Sequence, residues 1–163
     1  MSSRLFQRLR EERGLAYSVY TSSESYRDTG AITIAMGVQP ARGPEALACL
    51  QEELARFAAE GPNDEELDSG KAQIRGSLLL GEESVSNHMY HLALDELCYG
   101  AFVSLEQHLA DVAAVTRDEV VAAARAWMGP AGWSIAAVGP KKSEDAVREA
   151  ARALTSVQPS ANV

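Results

Sequence analysis

Residues 2–19 read Ser2-Ser3-Arg4-Leu5-Phe6-Gln7-Arg8-Leu9-Arg10-Glu11-Glu12-Arg13-Gly14-Leu15-Ala16-Tyr17-Ser18-Val19. Leu5, Phe6 and Leu9 share one helical face, and Gly14 stands where a left-handed residue would close the last turn. From Leu15 to Ser25 the chain is rich in Tyr, Val, Ser and Thr, side chains suited to a pleated strand. Ala31 to Val38 then alternates Ile32, Ile34 and Met36 with smaller residues, the period of a strand with one covered face. With Tyr26-Arg27-Asp28-Thr29-Gly30 between them, the two runs predict an antiparallel hairpin entered from a short amphipathic helix.

Beyond Pro40 the period changes. Leu47, Leu50, Leu54 and Phe57 recur at helical spacing until Gly61-Pro62, which predicts a helix of about four turns. Asn63 with Glu66 three residues on has the form of a capping box, opening a helix through Leu67, Ile74 and Leu78 that Gly81 can break before a further helix from Ser84 to Tyr99. Ser104, and Thr116 with Glu119, announce two more helices. Residues 132–140, Gly-Trp-Ser-Ile-Ala-Ala-Val-Gly-Pro, form a short apolar run closed by Gly-Pro and predict a buried strand returning to the hairpin. Ser143 is expected to cap a last helix. The reading is therefore α+β, a small, mostly antiparallel sheet of hairpin plus returning strand packed against several helices, in one domain over residues 1–155 with a flexible tail at 156–163. Three strands are few for so many helices, so further strands are expected upstream of Met1.

With 15 basic and 23 acidic residues, the net charge of -8 would repel phosphate backbones and anionic lipid, so neither nucleic acid nor a membrane surface is an expected partner. No run reaches the ~20 apolar residues of a membrane span, and residues 1–7 have no signal-peptide h-region. Cys49 and Cys98 lie within helical apolar patterns, which reads as two buried thiols, no disulfide and a reducing, cytoplasmic setting.

His88, His91 and Asp95 fall on one helical face, a spacing that a two-His-one-carboxylate metal site could use. The simpler reading is a helix with polar residues at its solvent edge. Neither His-Glu-x-x-His nor His-x-x-Glu-His occurs, and no Gly-x-Ser-x-Gly elbow or glycine-rich phosphate loop is present. A self-contained enzyme is hard to assemble from these residues, and no metal ligand or cofactor-binding residue is assigned. Arg10 and Tyr17 flank Gly14, so both side chains can reach one side of the helix-to-strand corner and offer a cation and a phenolic donor to a carbonyl or oxyanion. Taken alone, the pair fits better an arginine on a charged helix surface and a tyrosine at a strand edge.

The whole string from Ser2 to Val19 resembles the signature that opens the second part of the carboxy-terminal half in pitrilysin/insulinase-type zinc peptidases, including bacterial relatives of mitochondrial processing peptidase. Weaker similarity continues through Thr29-Gly30, Glu60-Gly61, Asp64-Glu65-Glu66-Leu67, Lys71-Ala72-Gln73, Gly76-Ser77-Leu78 and Ala137-Val138-Gly139-Pro140. The resemblance implies a partial half-domain from a peptidase whose two halves enclose a chamber. Zinc would be bound in an N-terminal half that this sequence lacks. This chain would hold no cofactor, would be inactive alone, and would contribute Tyr17 to the scissile carbonyl or oxyanion and Arg10 to binding of a peptide substrate. Its expected partner is that N-terminal zinc-binding half, in the same protein or in a partner subunit, with self-association expected where sheet edges and apolar faces stay uncovered. The other role the resemblance allows is a non-catalytic structural or partner subunit. A third reading, apart from the resemblance, is a small metal-binding or helical interaction module built on His88, His91 and Asp95.

Overall fold

The computed structural model describes residues 3–128 and 133–156. The chain enters through α1 (Arg4–Phe6), which continues as π-helical turns over Gln7–Glu12. Strands β1 (Ala16–Ser25) and β2 (Gly30–Val38) pair as an antiparallel hairpin, the one sheet among the described residues. Five helices follow: α2 (Gly43–Glu60), α3 (Asp64–Gly81), α4 (Val85–Tyr99), α5 (Leu105–Ala114) and α6 (Arg117–Trp127), and α7 (Glu144–Ser156) closes the described chain. Among these residues no helix is long and apolar enough to cross a membrane.

Local chemistry accounts for most boundaries. Asn63 Oδ1 accepts from Glu66 N and Glu66 Oε2 accepts from Asn63 N, both at 2.8 Å, which satisfies two of the donors a helix start leaves open. Thr116 and Glu119 repeat the device at α6, and the hydroxyls of Ser84 and Ser104 accept from backbone N–H groups three residues on. Gly61 ends α2 in the left-handed region at φ 73. α2 is longer than expected at 18 residues, because it begins at Gly43-Pro44, before the first of the periodic leucines.

The described residues fall into two compact units, those within 1–23, 32–60 and 122–163 in the first and those within 24–31 and 61–121 in the second. In the first unit Leu9, Leu15, Ala16, Ala46 and Cys49 form a buried cluster against which Leu5, Val19, Met36 and Val38 pack. α7 lies along α2, close enough that a Cβ at Gly43 would stand 3.1 Å from Val147 Cγ2. Arg125 of α6 donates to the carbonyls of Ala58 (3.0 Å) and Ala59 (3.4 Å), closing open acceptors at the end of α2. In the second unit α3 packs on α5, and Lys71 Nζ donates 2.9 Å to the carbonyl of Ala113 near the end of α5.

The expected returning strand does not form: residues 133–140 carry no strand pairing, and Gly132 lies outside the described residues. A strand is defined by its neighbour, and an apolar run cannot announce whether a neighbour is there. Ser143, expected to cap α7, directly precedes it. It closes a short 3-10 turn (Lys141–Ser143), and its hydroxyl donates 2.9 Å back to the carbonyl of Pro140. Ser156 is the last residue of α7, and the rest of the expected tail, 157–163, lies outside the described residues.

Candidate functional site

The corner between the opening helix and β1 is held from beneath. Leu9 is 0% exposed, and Leu15 and Ala16 are 2% and 5% exposed, so the residues directly before Arg10 and directly before Tyr17 are both anchored in the core. Gly14 makes the turn at φ 57, and Leu15 N donates 2.7 Å to the carbonyl of Leu9 across it. Arg42 Nη1 donates 3.2 Å to the carbonyl of Gly14, tying the corner to the start of α2. The π-helical turns are seen in the 3.3 Å bond from Arg13 N to Arg8 O, five residues back. Such turns re-aim side chains relative to an α-helix and recur at functional sites. A stretch this short has too few apolar positions for its period to reveal them.

A buried carboxylate braces the helix side of the corner. Glu53 of α2 is 4% exposed, and its oxygens lie 2.5 Å from Arg56 Nη2 and 3.2 Å from Arg8 Nε. The Arg8 contact is an ion pair without hydrogen-bond alignment. Arg8 also pairs with Glu12 at 2.5 Å, and that hydrogen bond holds its guanidinium above the ordinary arginine value. Cys49, beneath the same corner, is pushed up by burial, so its thiol behaves as a small apolar filler.

Above these anchors the two candidate groups are open. Tyr17 is 70% exposed, and the Arg10 side chain is 47% exposed. Arg10 lies over the Phe6 ring, 5.1 Å from its centroid, with Glu11 at the 4.0 Å limit of an ion pair. The Tyr17 ring lies against Gly37 of β2: a Cβ built there would stand 2.6 Å from Cε2 and Oη and closer still to Cζ. Sequence reading missed Gly37. A lone glycine inside the Met36-Gly37-Val38 run was the available signal, since a strand glycine often marks a close approach.

The histidines lie in the second unit, where His88, His91 and His108 line a small cleft with Glu82, Asp95 and Phe102. His88 Nδ1 is 2.9 Å from Glu82 Oε2, and His108 Nε2 is 3.8 Å from Asp95 Oδ2. Asp95 is not at a solvent edge as expected. It is 6% exposed and accepts 3.3 Å from Val103 N, just past the end of α4. Among the described residues no group of three or more His, Cys, Asp or Glu is arranged to hold a metal ion.

A family model described as the peptidase M16 inactive domain matches residues 1–74, the stretch that contains Arg10, Gly14, Tyr17 and Gly37. An uncharacterized zinc protease of Streptomyces coelicolor is 38% identical over 148 residues, 91% of this chain and 32% of the relative. The chain belongs to the peptidase M16 family, the pitrilysin/insulinase-type zinc metallopeptidases. An uncharacterized zinc protease of Bacillus subtilis is likewise 38% identical, over 77% of this chain and 31% of the relative. This M16 chain thus spans about a third of the length of the curated relatives it matches. In fold it is similar to the M16 inactive domain of Pseudomonas fluorescens (TM-score 0.67, 24% identity, 78% of this chain, 30% of that one). It is also similar to the periplasmic protease PqqL of Escherichia coli (TM-score 0.63, 21% identity, 74% of this chain, 14% of that one).

Proposed function

We propose that this chain is the substrate-side part of a two-half zinc endopeptidase, inactive alone, in which Tyr17 and Arg10 act on a peptide held between it and a zinc-binding N-terminal half. The observation that carries this reading is the corner itself, where buried Leu9, Leu15 and Ala16 hold the backbone while Arg10 and Tyr17, each directly after a buried residue, stay open to a ligand. Donors fixed before the substrate arrives need no reorganisation when charge develops on a carbonyl oxygen. Tyr17 would donate its phenolic hydrogen to the scissile carbonyl or its oxyanion. Arg10 would hold main-chain carbonyls or a carboxylate of the peptide, and the hairpin would orient an extended substrate by strand addition.

A partner of this kind also suits the second unit, whose α4 leaves Val85, Met89, Leu97 and Tyr99 at 66–86% exposure. Apolar surface on that scale is the usual mark of an interface. The test is Tyr17→Phe with the zinc-binding half supplied. Removal of one oxyanion donor lowers kcat by about 10²–10³, with Arg10→Ala expected to act mainly on KM. Unchanged turnover in both variants would refute the substrate-side role and leave the chain a non-catalytic partner.

A further inference from the structure

Two soft torsions separate the backbone of Tyr17 from its hydroxyl. A ring 70% exposed on a strand would ordinarily divide its time among staggered positions, and its hydroxyl would point in several directions. Here one position is selected by the neighbouring strand. Met36 and Val38 pack against the core cluster, so the alternation of β2 turns position 37 to the outward face, the one on which Tyr17 is exposed. Position 37 has no side chain, and the end of the tyrosine ring takes the space a Cβ would fill, 2.6 Å from Cε2 and Oη.

We propose that Gly37 is a positioning residue for Tyr17: its bare backbone seats the phenol ring and fixes the direction from which the hydroxyl reaches a bound peptide carbonyl. The inference rests on the donor role proposed for Tyr17. Gly30, in the same strand, marks the difference between a seat and a packing constraint. A Cβ there would stand 2.9 Å from the backbone oxygen of Glu24, which cannot move aside without disturbing the hairpin. At Gly37 the obstacle is the free end of a side chain. Gly37→Ala therefore leaves the strand able to form and puts its whole effect on the ring.

Two measurements test this. In nuclear magnetic resonance of the chain by itself, a ring seated on Gly37 shifts the Gly37 Hα protons upfield, and Tyr17→Leu removes that shift. Identical Gly37 Hα shifts in the two proteins would overturn the seat regardless of any kinetics. With the zinc-binding half supplied, Gly37→Ala is expected to lower kcat roughly tenfold, the scale of a small misplacement of a catalytic group, with KM within about twofold of wild type. The double variant Gly37→Ala/Tyr17→Phe should then turn over no more slowly than Tyr17→Phe alone, because both changes remove the same interaction. Losses that multiply in the double variant would show that Gly37 acts elsewhere and overturn the proposal. Turnover lost in Tyr17→Phe but kept in Gly37→Ala sinks the seat and leaves the donor role standing. Turnover kept in Tyr17→Phe sinks the donor role, and this inference with it.

Discussion

The buried hydrophobic core, Leu9, Leu15, Ala16, Ala46, Cys49, Leu50, Leu54 and Ala124, lies in the first unit, and each unit buries one carboxylate, Glu53 in the first and Asp95 in the second. The first unit is held by packing across distant parts of the sequence, with Leu9, Ala16 and Cys49 drawn from three elements into one cluster. In the second unit each helix start is secured close by: Asn63 with Glu66, Ser84, Ser104, and Thr116 with Glu119. Its apolar side chains are plentiful but uncovered, with Leu80 and Leu97 each 68% exposed. The proposed donors sit on the packed unit, where core residues fix the backbone beneath them. The locally capped unit is the one that would offer surface for the association proposed above.

That contrast can be broken most directly at Leu9. Leu9→Ala should destabilise the chain by about 3 kcal/mol, the cost of a cavity in a closed core, read from denaturant unfolding. A loss below about 1 kcal/mol would mean the cluster collapses around the gap and is not rigid. Asn63→Ala should cost about 1 kcal/mol through lost capping of α3, seen as reduced helical circular dichroism. Leu97→Ser should change stability by less than about 0.5 kcal/mol while lowering association in light scattering. A large destabilisation there would mean that α4 is covered in solution and would erase the contrast. The smallest effect is electrostatic. Hydrogen bonds from the backbone N–H of Thr116, then from its hydroxyl, hold the Glu119 carboxyl below the ordinary glutamate range. Because the folded value is the lower one, this stabilisation is present above the ordinary value of about 4.3 and is lost as pH falls through the folded value. Glu119→Gln should therefore differ from wild type at pH 6 and converge on it in acid, as read by urea titration at each pH.

How much of this was legible in the sequence follows the same division. Each helix of the second unit announced itself, because a cap is a matter of three or four adjacent residues. Gly14, Gly61 and Gly81 were equally plain as boundaries. The family likeness, and with it Arg10 and Tyr17, rested on one continuous string at the opening of the chain. What stayed hidden depends on partners remote in sequence. Trp133 to Pro140 has the composition of a strand and no neighbour to pair with among the described residues. Asp95 turns inward because the N–H of Val103 and the ring of His108 meet it there. The seat of Tyr17 required knowing that β2 places Gly37, and not Met36 or Val38, against the ring.

If Arg10 binds substrate as proposed, its resting place bears on how a peptide would be received. Its guanidinium is stored on the face of Phe6, an attraction of about 0.5–1 kcal/mol at an exposed site, with Glu11 only at the edge of reach. A holster of that depth keeps a long side chain from wandering yet releases it cheaply. In the proposed substrate-side role, an arriving peptide would need to supply only one good charge-assisted hydrogen bond to draw the arginine away. Before then, aromatic packing of the cation leaves fewer of its arrangements to be frozen out on binding.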